Sequence, residues 1–183
     1  MATENISDRT DVSPQQEPAP TPLLSAAEIP VSERPCYALD ESRLYALDEV
    51  ASRIAETAPG SPTDHLTGKV GEQVFANYVG IDGCVDTEIY ADGGDGGVDL
   101  IYRGATVDVK TVGQHRPDPA LTVDAYEPLR ADYYVLASRI GPTDVRLVGY
   151  APRSFVANAP IRDHDSDPYH IVDQRYLFPL PRL

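Results

Sequence analysis

The chain has 183 residues, enough for one domain whose core needs no disulfide or metal to hold it together. Its 29 acidic residues outnumber 15 basic ones, and the net charge of −14 repels nucleic acid unless local basic groups, metal ions or salt offset it. The two cysteines form no disulfide framework, no apolar run reaches the roughly 18 residues that span a bilayer, and no signal-peptide pattern is present, so a soluble cytoplasmic protein is expected.

Only two of the basic residues are lysine, Lys69 and Lys110. A surface that is rich in acids and poor in lysine is typical of halophilic proteins, because carboxylates stay hydrated where salt is abundant and screening is short-ranged. An acidic surface that mimics another partner is the alternative. The rarity of lysine makes the position of each one informative.

The N-terminal segment is predicted to be disordered. Residues 1–36 are rich in Pro, Ser, Thr, Glu and Gln and offer too little apolar surface to offset the entropy of ordering. One folded domain is then expected over residues 37–183. Its first helix begins at Asp40, carries apolar residues at three- and four-residue steps from Leu44 to Ile54, and ends at Pro59-Gly60.

A second helix is expected after Thr63 or Asp64, with an apolar stripe along one side. Gly68 and Gly71 are poor helix formers, and their place near its start predicts a close approach to another backbone. Glu72 falls at the margin of the stripe. Its carboxylate either looks past the core toward a sheet or is an ordinary solvated acid near the helix N-terminus, where the helix dipole favours it.

A strand over Cys84–Tyr90 leads into a glycine-rich loop at residues 91–97, in which Asp92 and Asp95 are predicted to form turns. The loop enters a strand rather than a helix, so it lacks the context of a nucleotide-phosphate loop. Its small residues would instead let the backbone approach a ligand closely.

The next stretch, residues 98–111, is predicted to be a β-hairpin, because apolar residues alternate on both sides of Arg103-Gly104. Side chains two apart on a strand share a face, so Asp108 and Lys110 point to one side of the second strand. Asp99, on the first strand, shares a face with Ile101, and it shares one with Asp108 if the register of the hairpin pairs them. The opposite side of the second strand holds Val107, Val109 and Thr111.

With that register, two carboxylates and one ammonium converge at one end of this hairpin. Paired acids repel each other unless a cation lies between them, and a hard cation such as Mg²⁺ prefers oxygen ligands completed by a substrate phosphate. The alternative is that Asp99 and Asp108 are surface acids on strand edges and that Lys110 is only their salt-bridge partner. Acids are depleted in strands, so two of them in one hairpin favour the metal site.

Beyond the hairpin the sequence predicts short elements. Glycine and proline weaken any helix over Val112–Leu121, and only Val123–Arg130 could form a short one. The remaining expectations are strands at Asp132–Ser138 and Asp144–Tyr150, a helical turn at Arg153–Ala157, an acidic loop at Ile161–Pro168, and extended segments at Tyr169–Val172 and Tyr176–Leu180.

Two polar groups in this part of the chain have alternative interpretations. Gln114, His115 and Arg116 could touch a phosphate or could form a mobile polar loop. His164 and His170, with three aspartates nearby, could hold zinc. The lack of a regular pattern around them favours a solvated loop.

The order of these features resembles the PD-(D/E)XK nuclease superfamily, whose members share the restriction-endonuclease-like fold. Its consensus places an Asp on one strand and (Asp/Glu)-X-Lys on the next, as Asp99 and Asp108-Val109-Lys110 stand here. The stretch 68–75 resembles the helix that supplies a further acid in many members, here Glu72. Residues 131–137 and 145–150 resemble the last core strands, and the similarity spans residues 63–150. The helix that usually follows the Lys strand is weak in this chain.

The resemblance implies an α/β domain with a mixed β-sheet core flanked by helices, and a Mg²⁺- or Mn²⁺-dependent deoxyribonuclease activity. It implies that Asp99, Asp108 and the carbonyl of Val109 hold the metal, that Lys110 is catalytic, and that Glu72 binds a second ion or activates water. DNA would be the partner, and double-strand cleavage would call for a homodimer. The acidic composition would make the chain a halophilic archaeal or archaeal-virus member. The alternative is a non-catalytic nucleic-acid-binding or protein-interaction module that keeps the fold.

Overall fold

The structure, a computed structural model, describes residues 34–81, 98–113, 118–164, 167–180 and 183. The predicted disordered tail up to residue 33, the strand at 84–90, the glycine-rich loop at 91–97 and the polar group at 114–116 lie outside the described residues. No helix in the described ranges is long and apolar enough to cross a membrane.

Two helices follow a short first strand, β1 (Cys36–Ala38). Helix α1 (Glu41–Ile54) begins after Asp40, whose carboxylate accepts a hydrogen bond from the backbone N–H of Arg43 at 2.8 Å. Helix α2 (Pro62–Tyr78) begins after Ser61, which forms a reciprocal capping box with Asp64. Both predicted helices are confirmed, and the caps explain where they begin, but α1 ends at Ile54 rather than at the predicted Pro59-Gly60.

The remaining elements are mostly strands. In chain order they are β2 (Leu100–Tyr102), β3 (Ala105–Val112), β4 (Ala120–Asp124), β5 (Tyr133–Arg139), β6 (Asp144–Pro152), α3 (Arg153–Ala157), β7 (Ile161–His164), β8 (Asp167–Asp173) and a 3₁₀ turn (Gln174–Tyr176).

Within the described residues, five strands form a main sheet in the order β1-β6-β5-β3-β2. Strands β3 and β5 are parallel, with Asp108 beside Tyr134 and Lys110 beside Leu136, whereas every other pair in this sheet is antiparallel. The predicted hairpin is confirmed as β2 and β3. Its two loop residues, Arg103 and Gly104, both have positive φ, as a two-residue type I′ turn requires.

Three further described strands form a second sheet in the order β4-β8-β7, antiparallel throughout. The second sheet and α3 cover one face of the main sheet, and α1 with α2 cover the other. Two buried apolar clusters fill the two interfaces. The first contains Val70 and Val74 of α2 with Val107 and Val109 of β3, and the second contains Leu121, Tyr134, Leu136, Val156 and Val172.

Two predictions of the sequence were wrong in this region. Strand β4 replaces the short helix considered at Val123–Arg130, and residues 125–132 are irregular. The predicted acidic loop at 161–168 is a hairpin of β7 and β8, in which Ile161 pairs with His170 and Arg162 with Tyr169. These strands form because β8 pairs with both β4 and β7, and the local sequence does not signal such distant pairings.

Regular structure is already present before the predicted domain boundary at residue 37. Cys36 belongs to β1 and lies opposite Arg146 of β6. Arg34 is buried, and its guanidinium donates hydrogen bonds to the carbonyls of Val148 and Gln174. Arg34 thus links β6 to the 3₁₀ turn.

Candidate functional site

The β2–β3 hairpin positions three of the predicted site residues. Asp99 lies one residue before β2, and its backbone N–H donates to the carbonyl of Val107 at 2.9 Å. One carboxylate oxygen of Asp99 accepts a hydrogen bond from the backbone N–H of Val109 at 2.6 Å. Asp99 therefore contacts the residues on both sides of Asp108, and its side chain is held against β3.

Asp108 and Lys110 lie together on β3. The Lys110 ammonium is 2.9 Å from a carboxylate oxygen of Asp108, and the exposed fractions of the two side chains are 40% and 6%. Strand alternation predicts this shared face. The pair thus consists of a buried acid and a lysine that reaches the solvent boundary.

The other face of β3 packs on α2, as the alternation also predicts. Val107 and Val109 belong to the first apolar cluster, and Thr111 contacts α2 at Gly71. A Cβ atom at position 71 would lie 1.8 Å from the Thr111 hydroxyl oxygen. The close approach predicted for this helix therefore exists at Gly71, although the neighbour is a side chain rather than a backbone.

Glu72 is buried. The interpretation of Glu72 as an ordinary solvated acid is therefore wrong. Its carboxylate is 2.8 Å from the ammonium of Lys69, three residues earlier on α2. Helix α2 lies on the face of the main sheet opposite to that of Asp108. In the described part of the chain no three acidic, histidine or cysteine side chains are close enough to share a metal ion, so Glu72 is not grouped with Asp99 and Asp108.

Both lysines of the chain bind predicted site acids. Lys69 pairs with Glu72, and Lys110 pairs with Asp108. The chain has 29 acidic residues, yet its two lysines both form ion pairs with acids of the predicted site. The partnership of Lys69 was missed by the sequence reasoning, although the three-residue spacing on a helix is a signal for it.

Tyr134 of β5 is a further neighbour that the sequence reasoning missed. It stands beside Asp108 in the parallel ladder and is 2% exposed. Burial raises the pKa of its hydroxyl, a backbone hydrogen bond at Ala131 opposes this, and the charge of Asp108 adds to the rise while that of Lys110 reduces it. The hydroxyl of Tyr134 therefore stays neutral beside the ion pair of Asp108 and Lys110. No local signal in the sequence gives the register of two parallel strands.

The carboxylates of Asp99 and Asp108 and the carbonyl of Val109 are oxygen donors of the kind that Mg²⁺ and Mn²⁺ prefer. A site with two carboxylates suits Mg²⁺, which usually keeps several waters and binds substrate phosphate. The donor set of the hairpin therefore fits the implied ion.

Comparisons with protein-family models, with curated proteins and with solved structures found no match for this chain.

Proposed function

We propose that this chain is a divalent-metal-dependent DNA endonuclease that hydrolyses phosphodiester bonds. The observation that carries the proposal is the β2–β3 hairpin, in which Asp108 and Lys110 share one face at 2.9 Å and Asp99 is bonded to the backbone of Val109 between them. This arrangement sets two acids and an ammonium on adjoining backbone segments.

The acids of the hairpin have the role of metal ligands in this proposal. Asp99, Asp108 and the Val109 carbonyl would hold Mg²⁺ or Mn²⁺, which supplies positive charge for the scissile phosphate and lowers the pKa of a bound water. The hydrogen bond from Val109 N–H uses one of the about four lone-pair sites of the ionised Asp99 carboxylate.

Lys110 has the catalytic role. Its ammonium is partly exposed and adjoins the proposed ligand Asp108, so it can orient the attacking water and stabilise the negative charge that develops on the phosphate. The resemblance to the PD-(D/E)XK superfamily implies a product with a 5′-phosphate.

Glu72 keeps its proposed role as ligand of a second ion or as activator of the water, and this role is separable from that of the hairpin. Its ion pair with Lys69 on α2 gives it a structural function in any case. A Glu72→Gln variant that cuts at the parent rate would limit the active site to the hairpin.

The strand order supports a restriction-endonuclease-like domain. The motif strands β2 and β3 adjoin, and the strands that resemble the last core strands, β5 and β6, continue the sheet beyond β3. The parallel pair β3–β5 needs a crossover connection. In this chain the crossover carries strand β4 rather than the helix usual in the superfamily.

A non-catalytic module that keeps this hairpin is the second candidate. The observation that favours it is the ion pair itself, because Lys110 already gives Asp108 a cationic partner. A titration with Mn²⁺ followed by DNA cleavage separates the two. The enzyme binds the ion at Asp99 and Asp108 and then cuts, whereas a module with a purely structural ion pair does neither.

A further inference from the structure

A cleft lies between α3 and the second sheet, away from the hairpin. Its cavity is about 440 Å³, within the range of small-ligand pockets, which is roughly 300–1,000 Å³. We call it the α3 cleft. The lining residues that matter to the argument are Phe155, Arg162, Val172, Asp173, Arg175 and Tyr176.

Two exposed aromatic rings stand at the α3 cleft. Tyr176 is 60% exposed and Phe155 is 40% exposed. The ring of Phe155 is held edge-on against Phe178 at a centroid distance of 5.9 Å, so its position is fixed by packing. A flat apolar ligand that enters the cavity can stack on such an exposed ring.

The lining of the cleft also holds two arginines, Arg162 and Arg175. Arg175 forms an ion pair with Asp173 at 2.8 Å, and its guanidinium lies 5.8 Å from the Tyr176 ring. Arg162 is exposed, and among the described residues none accepts a hydrogen bond from its guanidinium. Asp173 and the nearby Asp118 offset the charge of Arg175, so Arg162 is the arginine of the lining that is left for a phosphate.

The α3 cleft is on the same side of the main sheet as the proposed active site. Asp108 and Lys110 lie beside Tyr134 and Leu136, which belong to the second apolar cluster. Val172 belongs to the same cluster and also lines the cleft. The cleft and the ion pair thus border the same apolar cluster.

We propose that the α3 cleft binds one nucleotide of an unpaired DNA strand, with its base stacked on Tyr176 and its phosphate on Arg162. Aromatic rings combined with arginine are the general means by which proteins hold single strands without reading their sequence. Bases in a duplex are already stacked and paired, so they cannot enter such a cleft without being extruded. The inference rests on the proposed nuclease function for the identity of the ligand, and it makes DNA with a single-stranded segment the substrate class.

The test measures binding by the full-length chain in a buffer without divalent ions, so that no strand is cut. The probes are fluorescent single-stranded oligothymidylate of about ten nucleotides, the RNA strand of equal length, and a DNA duplex. Fluorescence anisotropy gives the affinity of each probe as a function of salt. The variants are Arg162→Ala and Tyr176→Ala.

Each variant should weaken binding of the single DNA strand about tenfold, which corresponds to about 1.4 kcal/mol. Arg162→Ala should also reduce the slope of log affinity against log salt by about 0.7, because one phosphate contact is lost. Tyr176→Ala should leave the slope unchanged, because stacking releases no counterion. The two variants are thus expected to differ in kind as well as in size.

Matched controls are Arg53→Ala and Tyr45→Ala, which remove an exposed arginine and a tyrosine that is 72% exposed from α1, on the opposite face of the main sheet. These controls should bind like the parent, and all four variants should melt like the parent. Equal losses in cleft and control variants would overturn the proposal. A preference for the duplex or for the RNA strand would also overturn it.

The outcome is separable from that of the nuclease proposal. A parent chain that cuts DNA with Mn²⁺, while its two cleft variants bind single strands normally, refutes the cleft and retains the nuclease. A parent chain that never cuts, while the cleft variants lose binding, retains the cleft and refutes the nuclease.

Discussion

Substitution of Gly71 by alanine tests how α2 sits on β3, the strand that carries Asp108 and Lys110. The new Cβ would lie 1.8 Å from the Thr111 hydroxyl oxygen and 2.9 Å from the Thr111 Cβ, below the 3.0 Å that real Cβ contacts respect. Helix propensity alone predicts the opposite sign, because alanine is better than glycine within a helix by about 1 kcal/mol.

The size of the effect follows from these two terms. Overpacking of a core costs about 1–3 kcal/mol, and an overlap of this depth belongs at the upper end. After subtraction of the propensity gain, we expect a net loss of about 2 kcal/mol in the free energy of unfolding. For a chain of 183 residues this lowers the melting temperature by about 4–8 °C.

The assay is thermal melting of the parent and three variants. Gly68→Ala is the matched control on the same helix, since its Cβ would meet only the Glu72 carboxylate oxygen, at 3.9 Å. We expect this control to melt about 2–4 °C higher than the parent, as propensity alone predicts. Adding Thr111→Ala to Gly71→Ala removes the hydroxyl and methyl groups and should recover part of the loss. The reasoning is refuted if Gly71→Ala melts at or above the parent temperature.

Three other expectations concern the chain as a whole. The melting temperature should rise as KCl increases from about 0.1 M to about 1 M, because the Debye length falls from about 10 Å to about 3 Å and screens the net charge of −14; a flat or falling curve would count against the halophilic interpretation. Truncation before Arg34 should preserve cooperative melting, whereas truncation before Tyr37 should lower stability, since the Arg34 bonds to two carbonyls are lost. If both truncated chains melt alike, Arg34 is not part of the fold. Hydrogen bonds from the backbone and hydroxyl of Thr106, aided by Arg153, lower the pKa of Asp132. Its stabilising effect is therefore present above about pH 4, the unfolded value, and is lost as pH falls, so Asp132→Asn should approach the parent in acid melts; a gap that stays constant with pH would contradict this.

Local signals in the sequence were sufficient for the helices and the hairpin. Asp40 and Ser61 cap α1 and α2, and Pro62 at the start of α2 has the fixed φ that a first helical turn needs. Arg103-Gly104 between two alternating runs gave the hairpin and thus the shared face of Asp108 and Lys110. Each of these features depends on residues within a few positions of one another.

The second sheet could not be read from the sequence because its pairings are distant. Strand β4 finds its partner β8 across about fifty residues, with Leu121 opposite Val172. Residues of β7 such as Arg162 and Asp163 are polar and exposed, so neither face of this edge strand shows an apolar alternation. Asp108 and Tyr134 are also far apart in the chain, which explains why Tyr134 was not foreseen beside Asp108.

The surroundings of Glu72 also depend on packing between elements. A helical wheel placed it at the edge of the apolar stripe, which leaves burial and exposure both open. The structure buries it with Lys69, because the contact of Gly71 with Thr111 brings this part of α2 close to the sheet. The chemistry of its side chain was enough to make Glu72 a candidate site residue. Only the three-dimensional structure shows that the main sheet separates it from Asp108.

The central claim is tested most directly by Mn²⁺-dependent cleavage of DNA that carries single-stranded segments, at low and at molar salt. The parent should cut only with the metal. Lys110→Ala should bind Mn²⁺ like the parent and cut about 10²–10³-fold more slowly, as expected when one group that stabilises the transition state is removed. Asp108→Asn should lose both binding and cleavage, and Asp163→Asn, an exposed acid on β7, should lose neither. A parent chain that fails to cut under any of these conditions, or a Lys110→Ala variant that cuts at the parent rate, would contradict the account.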